Sequence, residues 1–114
     1  MPKTPTSAVL TKLSVANGIA VLTLNDAPSR NSMSFAMMDA LQATCSEINA
    51  RDDIHALIIT GAGEAFSAGG NMDDMTERMG IFASEDPLWA RDINLTQVHK
   101  IPHAVYGLTV PTIA

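Results

Sequence analysis

Residues 56–75 read ALIITGAGEAFSAGGNMDDM: an apolar run, Ala56 to Ile59, empties at Thr60 into a glycine-studded loop that leads into a polar, helix-compatible segment. Leu57, Ile58 and Ile59 are rich in β-branching, and Gly61 and Gly63 close the run. This pattern predicts a strand buried on both faces, as in a parallel sheet. Ligands of open parallel sheets sit beyond the carboxyl ends of the strands, so the loop is where function is expected. Phe66 is the only large apolar residue within it and is expected to plug the loop onto the sheet, holding Ser67-Ala68-Gly69-Gly70 in one shape. If a helix begins near Asn71, the free N–H groups of Gly70, Asn71 and Met72 point outward from its positive end. Such a turn can receive a phosphate, or the oxyanion of an enolate or tetrahedral intermediate. Taken alone, it equally suits an ordinary strand-to-helix connection whose glycines only make the turn.

Two phosphate motifs fail here. Gly61-Ala62-Gly63 opens a G-x-G-x-x-G, but Phe66 stands where the third glycine would let helix and strand approach. A P-loop needs Gly-Lys-Ser/Thr at the helix start, and no lysine lies between Lys12 and Lys100.

Upstream, Val9 to Val15 and Ile19 to Leu24 are apolar or alternating runs separated by Ala16-Asn17-Gly18, which predicts a β-hairpin. Asn25 to Ser32 supplies turn residues, so the chain leaves the sheet in a loop. Ser34 is a plausible N-cap for a helix over 35–50, in which Met38, Leu41, Cys45 and Ile48 fall on one face. Met37 at the third helical position excludes a reciprocal capping box. Cys45 on that apolar face is expected to be a buried, inert thiol. Strand, helix and strand at 19–24, 35–50 and 56–60 then form a right-handed βαβ crossover.

Downstream, a short helix is expected over 71–79 and a longer one over 87–100, with a mobile loop over 80–86 and a further turn over 103–108 behind Pro102. Met72, Met75 and Met79 lie at helical spacing, as a core stripe does. Asp73 and Asp74 fit a solvated face or first-turn charges favoured by the helix dipole. His99 and His103 have the four-residue spacing of a metal pair, but Pro102 between them is expected to break the helix ladder and no third ligand is near. Ser67 lacks the G-x-S-x-G setting of a nucleophile elbow. Val110 to Ala114 reads as the start of a further core strand.

Three segments in order resemble the crotonase superfamily, the enoyl-CoA hydratase/isomerase family of acyl-CoA enzymes. Val21-Leu22-Thr23-Leu24-Asn25 with Pro28 and Arg30-Asn31-Ser32-Met33 is similar to its first strand and adenine-side loop. Ala56 to Gly63 resembles its next strand, and Ala65-Phe66-Ser67-Ala68-Gly69-Gly70 its oxyanion-loop motif. The resemblance spans roughly residues 8–114. It implies an α/β fold, a crotonase-like spiral of ββα repeats, with 8–114 the N-terminal part of a domain that stops at the start of a core strand; residues 1–7, polar and with two prolines, read as a flexible tail. It further implies hydration or double-bond isomerisation of an enoyl-CoA, in which the thioester oxygen accepts two backbone N–H bonds and a neighbouring enolate is stabilised. Gly70 occupies the position of the first donor; the second, and the catalytic carboxylates, are expected beyond Ala114. Ala68, Gly69, Asn71 and Met72 would line the thioester passage, and Arg30 would meet a coenzyme A phosphate. Asn71 departs from the aspartate frequent at its place, though asparagine caps a helix comparably. The resemblance also implies a homotrimer or hexamer and no cofactor beyond the coenzyme A of the substrate. The alternative is a truncated, non-catalytic module that binds coenzyme A or a partner subunit.

The composition is compatible with this reading. A net charge of −5 disfavours nucleic acid and anionic membranes as partners, so an anionic substrate must be met by local donors. One cysteine excludes an internal disulfide and any multi-cysteine metal site. Neither a secretory leader nor a membrane span is evident, which makes a cytoplasmic location the default expectation.

Overall fold

The computed structural model describes residues 9–70 and 98–114. Strands β1 (Thr11–Ala16) and β2 (Ile19–Leu24) form an antiparallel hairpin with Ala16 opposite Ile19. Only Asn17 and Gly18 are left to make the turn, and their φ values of 54° and 81° carry the sign that a type I′ turn requires at both central positions. Gly18 has a second constraint, because a Cβ there would stand 2.6 Å from the His55 ring.

Helix α1 (Phe35–Ala50) begins where expected, with the Met37 N–H donating to Ser34 Oγ at 3.0 Å. Its buried face holds the four predicted residues and also Met37 and Thr44. Thr44 is satisfied at the core margin by a 2.8 Å hydroxyl contact with Thr11. Strand β3 (Ala56–Gly61) lies parallel to β2, with Leu22 opposite Ile59 and Leu24 opposite Gly61. The helix therefore bridges two parallel neighbours and packs its apolar face on Ala20, Leu22, Leu24, Leu57 and Ile59. Side chains such as Leu22 and Leu57, both fully buried, each contribute ~1.5–3 kcal/mol by leaving water.

Burial along β3 corrects one expectation. Leu57 and Ile59 are buried, but Ile58 between them is 38% exposed, so among the described residues the strand is covered on one face only. An unbroken apolar run does not reveal how many faces are covered, because a helix packed on one side accounts only for alternate residues.

A second correction concerns Pro102. Helix α2 (Lys100–Tyr106) runs through it, and the His103 N–H donates to His99 O at 3.1 Å. With His99 as N-cap, Pro102 lies in the first turn, where a missing N–H costs no intrahelical bond. Helix α2 is tied to α1 by Lys100 Nζ on Asp39 Oδ1 (2.7 Å) and by Asn49, which donates to Gly107 O (2.9 Å) and accepts the Thr109 N–H (3.0 Å). Strand β4 (Thr112–Ile113) adds a short parallel edge to β3, giving the order β1-β2-β3-β4. The expected tail over 1–7, the helix over 71–79, the loop over 80–86 and most of the segment 87–100 lie outside the described residues.

Candidate functional site

The carboxyl ends of β2 and β3 lie side by side, and two loops leave them together. The first, residues 25–33, contains a single 3-10 turn, Ala27–Ser29, and then Arg30 and Asn31 in the left-handed region with φ of 58° and 57°. The second, residues 62–70, starts where the Ala62 N–H donates to Leu24 O at 2.8 Å. From there the loops run in register. Ala68 N–H donates to Arg30 O (2.9 Å), Ser67 Oγ to Asn31 O (2.8 Å) and Met33 N–H to Gly69 O (2.6 Å), while Met33 and Gly70 form an isolated parallel bridge.

Asn31 is the fastener of this assembly. It is wholly buried, and its side chain makes three hydrogen bonds: Oδ1 accepts the Asp26 N–H at 2.7 Å, and Nδ2 donates to Ala62 O and Ala65 O, both at 2.9 Å. At roughly 1 kcal/mol net for a typical bond, the set outweighs any single apolar contact available to the loop. Its left-handed backbone is one that asparagine tolerates better than most residues. Gly61 supplies the space, since a Cβ there would press on Ala65 O, on Phe66 O at 2.5 Å and on Asn31 Nδ2 at 2.8 Å. The expected plug is absent: Phe66 is 49% exposed, and the loop is held by the buried amide of Asn31 instead. The close backbone approach over Gly61 turns the Phe66 carbonyl inward, and its ring is left outside.

Four predicted site residues come together here and two do not fall within the described residues. Arg30 and Ala68 are exposed neighbours joined through the main chain. Gly69 has φ 88°, open space where a Cβ would be, and an N–H donated to Ser67 Oγ at 3.1 Å. Gly70 is exposed, and among the described residues its N–H donates to none. Asn71 and Met72 lie outside the described residues. The sequence alone gives Asn31 no role beyond its place in the first loop, and Ser67 none beyond its place in the loop motif. The one available signal was the tolerance of asparagine for a left-handed turn with side-chain bonding to nearby backbone.

Other chemistry is not assembled. Cys45 is 2% exposed on the core face of α1, and burial pushes its thiol above the ordinary range, which keeps it protonated. Among the described residues no three His, Cys, Asp or Glu side chains gather as metal ligands; the rings of His99 and His103 meet edge to face at 6.4 Å. Asp26, beside the loops, is engaged by Ser29 Oγ at 2.6 Å. No helix among the described residues is long and apolar enough to cross a membrane.

Comparison with known proteins agrees with this geometry. The family model for enoyl-CoA hydratase/isomerase matches residues 14–112. The Mycobacterium tuberculosis protein named "Probable enoyl-CoA hydratase EchA14" is 33% identical over 102 residues, covering 90% of this chain and 37% of its own length. An enoyl-CoA hydratase of Alternaria alternata, ACTT3, is 30% identical over 99 residues, covering 87% of this chain and 31% of its own. This chain thus spans about a third of the length of these relatives. Among solved structures, Pseudomonas aeruginosa AtuE superposes with a TM-score of 0.75 at 25% identity, over 90% of this chain and 38% of that one. An enoyl-CoA hydratase/carnithine racemase from Magnetospirillum magneticum gives 0.76 at 24% identity, over 90% and 37%, which bears on the fold alone. Hairpin, crossover helix and parallel strand are therefore a fragment of the crotonase fold, and the chain belongs to the enoyl-CoA hydratase/isomerase family.

Proposed function

We propose that this chain supplies the thioester-binding part of an acyl-CoA enzyme that hydrates or isomerises enoyl-CoA substrates, with the Gly70 N–H donating to the thioester oxygen as enolate charge grows on it. One observation carries the proposal: the main-chain N–H of an exposed glycine, unused among the described residues, stands past the carboxyl end of a parallel strand pair in a loop fastened from beneath. A donor already in place needs no reorganisation when charge develops, and losing one such donor typically costs ~10²–10³ in turnover. Gly69, without a side chain, and Ala68, with only a methyl, leave the approach to Gly70 uncovered, and Asn71 and Met72, next in sequence, are proposed to line the same passage. Arg30, exposed on the paired loop, is the local cation for a coenzyme A phosphate in a chain whose net charge is −5. No cofactor beyond coenzyme A is required, and the complete enzyme is expected to act in the cytoplasm as a homotrimer or a pair of trimers.

The test is a titration of isotope-labelled chain with butyryl-CoA, a saturated thioester that cannot be hydrated. The expected result is a shift of the Gly70 amide resonance that free coenzyme A does not reproduce, together with changes at Arg30 for both ligands. Binding that leaves Gly70 unmoved, a preference for NAD or ATP over the thioester, or no binding would overturn the proposal.

A further inference from the structure

We infer that Asn31 is the positioning residue of this site: its buried amide, 2.9 Å from the carbonyl oxygens of both Ala62 and Ala65, sets where the Gly70 N–H points. The inference rests on the oxyanion role proposed for Gly70 and adds the side chain that makes that role possible. Loop 62–70 has no buried large side chain of its own, since Phe66 is 49% exposed. Its shape must come from polar contacts: main-chain bonds to Leu24, Arg30 and Met33 hold Ala62, Ala68 and Gly69, and the side-chain contacts converge on Asn31. The Asn31 side chain grips the start of the loop at Ala62 and its middle at Ala65. The Asn31 carbonyl grips the far side through Ser67 Oγ, which in turn accepts the Gly69 N–H. A continuous path of hydrogen bonds therefore runs from residue 31 to the Gly69 N–H, and the next peptide, which carries the Gly70 N–H, is held through Gly69 O by the Met33 N–H two residues after Asn31.

The path has a fixed base. Asn31 is 0% exposed, its own N–H donates to Asp26 O at 2.9 Å, and its Oδ1 accepts the Asp26 N–H. Its hydrogen-bonding capacity is well matched, with both amide hydrogens going to loop carbonyls. A carboxylate in the same place keeps the acceptor for Asp26 but has no hydrogens for Ala62 and Ala65, and sets negative charge against both oxygens. The substitution Asn31→Asp therefore cuts the grip on the loop while sparing the left-handed turn, which aspartate also tolerates. Asn31→Gly removes the whole side chain and keeps the turn in another way.

The experiment compares the parent chain with N31D and N31G. In the parent, the backbone order parameter of Gly70 is expected near a rigid value of ~0.85, and in both variants below ~0.6, with α1 and β2 unchanged. Butyryl-CoA affinity relative to free coenzyme A is expected to fall about tenfold or more in both variants, because a donor displaced by about an ångström no longer serves the thioester oxygen. A Gly70 as rigid in N31D as in the parent would overturn the inference. So would a loss of order spread through α1 and β2, which marks a residue that only supports the fold. A parent that shows no preference for butyryl-CoA over coenzyme A counts against the oxyanion role itself; the order parameters then still decide whether Asn31 positions the loop.

Discussion

Replacing Gly61 by alanine probes the tightest glycine position among the described residues. The new methyl would meet Ala65 O, Phe66 O at 2.5 Å and Asn31 Nδ2 at 2.8 Å, where ordinary contacts are 3.4–4 Å. Two of these neighbours are backbone and the third is a wholly buried amide, so none can swing aside as a surface side chain would. If the loop stays, the methyl overpacks the site at a cost of ~1–3 kcal/mol. If the loop lifts, the two Asn31 bonds of about 1 kcal/mol each are lost, and the amide left beneath becomes an unsatisfied buried group at ~1–3 kcal/mol. Either route gives about 1 kcal/mol or more. Urea denaturation followed by far-UV circular dichroism should show the midpoint falling with the slope unchanged, as for a variant that alters stability alone. A G61A chain within about 0.5 kcal/mol of the parent, the range of an inconsequential surface change, would refute the packing described for this corner.

Other perturbations address separate parts of the fold. Ser34→Ala removes the acceptor of the Met37 N–H and should cost about 1 kcal/mol in the same denaturation experiment. Cys45 should resist a thiol-specific disulfide reagent in the native chain and react promptly in denaturant. Because folding raises the Cys45 pKa, its contribution to stability is intact below the unfolded thiol pKa and declines as pH rises through the folded value, so mild alkali should loosen the core. Asp53 is held below the usual carboxylate range by the Arg51 guanidinium, which donates to it at 2.9 and 2.7 Å. Its stabilising share is therefore present above the unfolded pKa near 3.8 and lost as pH falls through the lower folded value. The pair is exposed, so the effect is small; NMR titration should place the Asp53 inflection below 3.8, and Arg51→Ala should return it towards that value.

What the sequence disclosed was local. Asn17-Gly18 specified a hairpin because the turn geometry belongs to those two residues, and Ser34 with Met38, Leu41, Cys45 and Ile48 specified a helix because cap and face are both short-range patterns. The misjudged residues depended on partners far along the chain. Asn31 binds carbonyls 31 and 34 positions away, and no periodicity announces such a contact. Phe66 looks like the anchor of the loop, where Asn31 makes the buried contacts, because hydrophobicity can be read from a residue type and a buried amide's partners cannot. Ile58 sits in an apolar run, yet the layer that would cover its side of the sheet is not specified by that run. Pro102 reads as a helix breaker in sequence because its effect depends on the helix register, which only the start at His99 fixes. Among the site residues, Arg30 and Ala68 to Gly70 were grouped by resemblance, and pairing of the two loops is the physical cause of their proximity.

The hairpin turn carries an implication for how this chain can vary. Position 18 refuses a side chain for two unrelated reasons, the crowding against His55 and a backbone rotation of 81° that other residues adopt at a cost of ~1–2 kcal/mol. A suppressor such as His55→Ala would relieve the first and leave the second untouched. No single compensating step restores a substituted Gly18, so drift at this corner is closed off even though the turn lies far from any proposed chemistry.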